Sequence, residues 1–448
     1  MRVPGLMRFV VGLACAVAAA QATSADLLSI YRDARDADAV YASARAAYAA
    51  GQEKLPQGLA GLLPNVSASA NTQYNNRDLE FRPPVAPGFQ SGTSRYNSNG
   101  YAVTATQPLF NLQSWLTYQQ AANQVSQAEA TFRQAEQDLV LRVAQAYFDV
   151  LVADNNVTLA AAQKTAIAEQ LAQAKRNFEV GTATITDAND AQARFDLSVS
   201  QEIAAQNDYE VKRQALAQIV GKPPATLLPV RADVPLVPPS PNGMEQWVEQ
   251  AMNSSLQVKA AQANLEFADK DVARNRSGHL PSLNAVAAYN ESAQGAGVQI
   301  GPGFDSATKY VGLQLAVPIY QGGLVNSQVR QAMANLDKAR QDLENTKRTV
   351  AFNTRQAFLG VTSGIAQVQA LKAALVSTQS SLDSTKLGKD VGVRTQVDVL
   401  NATQQLISAK RDFAQAVYGY TLSALKLKSA AGTLGEEDLA YVNQWLAK

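Results

Sequence analysis

Small or apolar positions and polar ones swap along Val66-Ser67-Ala68-Ser69-Ala70-Asn71-Thr72-Gln73-Tyr74, the period of a half-buried strand. Tyr101 to Leu109 and Val311 to Val317 repeat the alternation, and Leu283 to Tyr289 does so less cleanly. The pattern predicts four strands, at about 65–75, 96–108, 282–290 and 309–317. Long Pro/Gly/Ser loops (Arg77 to Ser94, Glu291 to Thr308) separate the members of each pair. Pro108 and Pro318 close the strands, since proline cannot donate into a ladder. The pattern then changes. Asn111 to Glu179 holds no Pro or Gly, and Leu324 to Leu387 only Gly360 and Gly364. Each reads as one helix about 100 Å long at 1.5 Å per residue. Gly181 and Gly392 supply breaks, and a helix of roughly 36 residues follows each. In the second of these, Phe413, Val417, Tyr420, Ala424, Leu427 and Ala431 step by four and three, a coiled-coil seam. Ahead of the strands, Asp26 to Gln57 and Met244 to Ser277 read as helices of roughly 33 residues. First and third helices together match the long one between them, so they are expected to stack end to end beside it.

The same order therefore occurs twice. Leu63-Pro64 answers Leu280-Pro281, Gln107-Pro108-Leu109-Phe110 answers Val317-Pro318-Ile319-Tyr320, and Ala146-Tyr147-Phe148 answers Gln356-Ala357-Phe358. Val180-Gly181 with Asp187 answers Val391-Gly392 with Asp398, and Val220-Gly221 answers Ala431-Gly432. From Pro108 onward the offset stays at 210 or 211 residues, the mark of a duplicated unit. The repeats span 26–222 and 244–432, leaving a C-terminal segment at 433–448. The linker 223–243 carries seven of the 17 prolines and reads as an extended crossover.

Residues 1–25 read as an export signal: Arg2 and Arg8, an apolar run from Phe9 to Ala20, then small residues up to a cleavage site after Ala25, or alternatively after Ala22. Gly12 stands where a lipobox before Cys15 wants Leu, which favours a plain signal peptide. No later stretch offers about 18 uninterrupted apolar residues, so any membrane-spanning part is expected to be made of strands.

Composition narrows the chemistry. Net charge is +1, which argues against nucleic acid as a partner. One Cys and one His in 448 residues nearly exclude thiolate, imidazole and zinc-ribbon chemistry; no metal, cofactor or catalytic residue is expected, and the chain reads as a non-enzyme. His279, beside the Leu280-Pro281 corner, reads as structural, and the scattered methionines give no soft-metal cluster.

Strands cross a hydrocarbon core only as closed barrels, and four strands are too few to close one. A symmetric oligomer contributing four strands per copy is the economical solution, and three copies give twelve. Aromatics near the strand ends (Tyr74, Tyr96, Tyr101, Phe110, Trp115, Tyr289, Tyr310, Tyr320) suit an interfacial girdle.

The duplicated helix–hairpin–helix–helix order resembles the TolC family of trimeric outer-membrane efflux and secretion channels. The local match is Val391-Gly392-Val393-Arg394-Thr395-Gln396-Val397-Asp398-Val399-Leu400-Asn401-Ala402-Thr403, running on to Leu427-Lys428-Ser429-Ala430-Ala431-Gly432-Thr433-Leu434. The resemblance implies an α+β membrane protein: a homotrimer whose twelve-stranded barrel in the outer membrane of a Gram-negative bacterium continues into a periplasmic α-helical tunnel. It implies an exit duct for small molecules or unfolded protein in a tripartite efflux pump or type I secretion system. The implied partners are outer-membrane lipids, a periplasmic adaptor and an inner-membrane transporter that supplies energy and chooses the cargo.

The resemblance also implies a gate at the periplasmic tips, turned by Gly181 and Gly392. Thr186 and Asp187 fall on its first-hairpin positions, Arg394 on the linking basic position and Asp398 on the outer acidic ring. Lys389 stands where the family often has Tyr, and Asn401 replaces the second ring carboxylate; a Lys389–Asp187 pair would restore a link by charge. Spacing alone favours a plainer reading, with Thr186-Asp187 as a helix cap and Arg394 as a solvated turn residue. The alternative from another class is a periplasmic coiled-coil adaptor or scaffold without a membrane barrel.

Overall fold

The computed structural model describes residues 25–85, 87, 91–231, 233–296 and 302–447. The export signal thus lies outside the described residues except at Ala25, as do parts of both long loops. Three helices open the chain, α1 (Leu27–Ala37), α2 (Ala39–Gln52) and α3 (Lys54–Ala60), and lead to strands β1 (Asn65–Leu79) and β2 (Gly92–Phe110). Helices α4 (Leu112–Glu179) and α5 (Ile185–Val220) follow. The second half repeats the order with α6 (Met244–Ser254), α7 (Leu256–Arg276), β3 (Ser282–Gln294), β4 (Phe304–Ala316), α8 (Leu324–Asp390) and α9 (Gln396–Ala430), and α10 (Glu436–Asn443) ends the chain.

The expected single first helix of each half is interrupted. Asp38 stops α1 and caps α2, accepting the Tyr41 N–H at 2.6 Å. Its carboxylate is also gripped by two Arg142 guanidinium nitrogens of α4 at 2.9 Å, so the break is fixed by an ion pair whose carboxylate is buried. In the second half Ser255 separates α6 from α7. End-to-end stacking holds: a Cβ on Gly221, at the end of α5, would lie 2.9 Å from the Ala37 Cβ at the end of α1, and one on Gly432, after α9, would lie 2.6 Å from the Ser254 carbonyl oxygen. Both pairs flank the long helices α4 and α8.

The main core gathers where the two halves and the chain ends meet. Tyr147, Phe148, Leu139, Leu216, Leu425 and Leu439 are fully buried there, each large apolar side chain worth about 1.5–3 kcal/mol. The Pro-rich linker is pinned to this core: the Tyr147 hydroxyl donates to the Leu228 carbonyl at 2.8 Å and the Tyr420 hydroxyl to that of Val237 at 3.0 Å. Residue Ala25 bridges to Leu227, and Val230 to Leu446.

The strands form one antiparallel sheet in the order β1-β2-β3-β4. They run further than the alternation suggested, since pairing continues outward through polar residues to Leu79↔Gly92 and Gln294↔Phe304. Pro108 does not end β2; a register irregularity between Pro108 and Phe110 accommodates the missing N–H. One face carries Val66, Val103, Leu283, Leu313 and Leu315, with Val311 85% exposed. Tyr74, Tyr101 and Tyr289 stand on that face, beyond its apolar stretch, and Tyr101 and Tyr289 both donate to the Glu291 carboxylate. Strand parity puts Tyr96 and Tyr310 on the other face, so they do not belong to an outer girdle. One 18-residue window of α8 reaches a mean hydropathy of 1.2 while only 11% of it is buried within the chain. It is apolar enough by length and composition to span a membrane, although no uninterrupted apolar run exists.

Candidate functional site at the helical tips

Both long hairpins end in the same chemistry, one copy per repeat. After α4 the chain turns through Gly181 (φ +77°), with the Thr182 N–H donating back to the Asn177 carbonyl at 2.8 Å. After α8 it turns through Gly392 (φ +81°), with Val393 donating to Gly388 at 2.9 Å. This six-to-one closure needs a left-handed residue, which glycine adopts without a Cβ penalty. Each following helix opens with a capping box. The Thr184 hydroxyl accepts from the Asp187 N–H at 3.2 Å, and the Asp187 carboxylate accepts from the Thr184 N–H at 3.0 Å. Thr395 and Asp398 do the same at 3.2 and 2.9 Å.

These boxes decide where several expected residues sit. The cap of α5 is Thr184, not Thr186, whose side chain is exposed. The backbone and hydroxyl donors of their threonines lower the carboxyls of both Asp187 and Asp398 from their ordinary value, with the Arg394 charge adding to the effect at Asp398. With its carboxylate engaged by Thr184, Asp187 takes no bond from Lys389. The Lys389 ammonium instead crosses to the other hairpin and donates to Gln173 Oε1 at 3.1 Å. Asn401 also crosses, accepting from Arg194 Nη1 at 3.4 Å. The Arg394 side chain leans over Gly388, and among the described residues its guanidinium makes no hydrogen bond or ion pair.

The structure therefore brings Lys389 to Gln173 and Asn401 to Arg194, linking α8 to α4 and α9 to α5. Between the tips lies a cleft of about 260 Å³ lined by Gln173, Asp187, Asp190, Arg194, Thr395 and Gln396. Gln173 and Arg194 were not expected. Arg194 lies seven residues, two helical turns, beyond Asp187, a spacing that places both on one helix face and was readable in advance. At the turns themselves Val180, Val391 and Val393 are 67–75% exposed. Among the described residues no group of three His, Cys, Asp or Glu side chains could hold a metal ion.

Comparison with known proteins adds an independent line. The family model described as outer membrane efflux protein matches the chain twice, over residues 30–222 and 247–433. The chain is 33% identical to Outer membrane protein TolC of Escherichia coli (strain K12), across 99% of this chain and 89% of that one. It is 29% identical to Proteases secretion protein PrtF of Dickeya chrysanthemi, across 88% and 86%. Among solved structures, the CmeC outer membrane channel of Campylobacter jejuni shares the fold, with a TM-score of 0.77 at 18% identity and coverage of 94% and 90%.

Proposed function

This chain belongs to the outer membrane efflux protein family, and from that premise we propose that three copies of it form a passive exit duct through the outer membrane of a Gram-negative bacterium. The observation that carries the reading is the sheet: four strands, apolar on one face, with β1 and β4 left as open edges. Unpaired backbone groups are costly in hydrocarbon, so such a sheet enters a bilayer only when its edges join other copies, and three copies close a barrel of twelve strands. Helices of 67 and 68 residues then reach about 100 Å into the periplasm. The exposed apolar window of α8 is covered by the neighbouring copy.

The tips face inward to the cell and dock onto a periplasmic adaptor, to which Val180, Val391 and Val393 offer apolar contact. An inner-membrane transporter drives export and selects small molecules or unfolded protein, so this chain carries no catalytic group. Residues 26–222 and 244–432 act as two repeats joined by the 223–243 linker, behind a removed leader. Thr186, Asp187, Lys389 and Arg394 form the gate, and Asp398, with Asn401 at the second ring position, lines the entrance. Within one copy Lys389–Gln173 and Arg194–Asn401 hold the hairpins together, which leaves the unpaired Arg394 for a neighbouring copy.

The mass of the detergent-extracted protein tests this reading. It is expected at three times the chain mass of 47.8 kDa less the leader. A monodisperse monomer that keeps its β-structure would overturn it and favour a scaffold without a barrel.

A further inference from the structure

The two faces of the sheet have opposite chemistry, and the face turned away from lipid is unusual in what it lacks. Strand pairing puts on it the odd positions of β1 from Asn65 to Asn75 and the even positions of β2 from Tyr96 to Thr106. It adds the even positions of β3 from Asn284 to Ser292 and of β4 from Ser306 to Gln314. Side chains agree with that parity: Asn75 Nδ2 donates to Ser98 Oγ at 2.8 Å, and a Cβ on Gly100 would lie 3.0 Å from Asn71 Oδ1. None of these positions is Asp, Glu, Lys or Arg, although 17% of the chain is charged. Nearly all are Asn, Gln, Ser, Thr, Ala or Gly. On β1 the next position of the same parity, Arg77, near the outer mouth, is charged.

The charge-free run is about 35 Å long along β1 at 3.3 Å per residue, which on a tilted strand covers the roughly 25 Å apolar band of an outer-membrane barrel. Fixed charges inside a pore with low-dielectric walls focus the field and sort ions by sign; a wall without them does not. Amides and hydroxyls both donate and accept, so a passing chain exchanges water for wall partners whatever its charge. We infer that the barrel section of the duct is a charge-neutral sleeve of amides and hydroxyls that passes extended cargo of either charge. This rests on the proposed duct and specifies the class of cargo that its outer section admits.

The test places charge of either sign on adjacent residues. In a Cys15→Ala background, Ser69→Cys and Ala70→Cys proteins are reconstituted in planar bilayers, and reversal potentials in a KCl gradient are read before and after membrane-impermeant anionic or cationic thiosulfonate reagents. At residue 69 the anionic label should raise the cation-to-anion permeability ratio, and the cationic label lower it, by a similar factor of about two or more. At residue 70, facing lipid, neither should act. A response to one sign only would mean that the wall already carries fixed charge and would overturn the sleeve. Labelling at 70 but not at 69 would reverse the faces and also overturn it. A complete lack of channels in the unlabelled proteins would overturn the duct itself, and the sleeve with it.

Discussion

Asp38 shows how much one side chain decides. It ends α1, caps α2 and holds Arg142 in a bidentate pair while itself only 4% exposed. Removing it takes away a cap and leaves a partly buried guanidinium without its partner. Asp38→Ala should therefore cost about 2–4 kcal/mol, and Asp38→Asn, which keeps the cap, less. The Arg142 hydrogen bonds hold the Asp38 carboxyl below its usual range. A depressed folded pKa stabilises above the unfolded value near 4 and loses that stabilisation as pH falls through the folded one. Denaturation midpoints should drop for wild type from about pH 5 to pH 3, and Asp38→Asn should lose less over that window. Glycines offer a second contrast. Gly432 combines φ +73° with a Cβ position 2.6 Å from the Ser254 carbonyl oxygen, whereas Gly181 and Gly392 have positive φ and open space around them. Gly432→Ala should cost more than about 3 kcal/mol and each tip glycine only about 1–2, measured as shifts in thermal midpoint.

At the scale of elements, the long helices were legible because nothing in Asn111–Glu179 breaks a helix, and α4 and α8 occupy the expected stretches. The breaks at Asp38 and Ser255 were not, because each is set by something far away in sequence: Arg142 grips Asp38, and the α9 end turns at Gly432 against Ser254. Strand ends were misjudged for a related reason. Arg77-Asp78 looks like a loop, yet a hairpin already in register continues to pair because its backbone groups have partners waiting. At the tips, the sequence singled out Asp187 and Asp398 and offered a cap at Thr186-Asp187, but the capping threonine is Thr184, three residues before Asp187 as Thr395 is before Asp398, and nothing in the sequence hinted that Gln173 receives Lys389. The boxes predict that Thr184→Ala and Thr395→Ala each fray the first turn of the following helix at a cost of about 1 kcal/mol. Hydrogen exchange at residues 185–188 and 396–399 should quicken accordingly, with the rest of α5 and α9 unchanged.

For the whole molecule, stability and function separate along its length. The large apolar core sits where the linker and both chain ends meet, while near the tips only small clusters (Leu171, Ala174 and Ala191; Leu382, Val399 and Leu406) pack each hairpin, beside exposed caps and two charge–amide bonds between hairpins. Such bonds contribute about 0.5–1.5 kcal/mol each, so in the proposed trimer six of them would favour a closed state by about 3–9 kcal/mol. Ammonium-to-amide and guanidinium-to-amide bonds involve no paired ions, so the closure should weaken little between low and high salt. The most direct measurement is single-channel conductance in planar bilayers for wild type and for the double variant Lys389→Ala, Asn401→Ala. Wild type should give long-lived channels mostly of low conductance, and the variant channels several-fold larger. A trimer in detergent that yields no channels, or a variant indistinguishable from wild type, would contradict this reading.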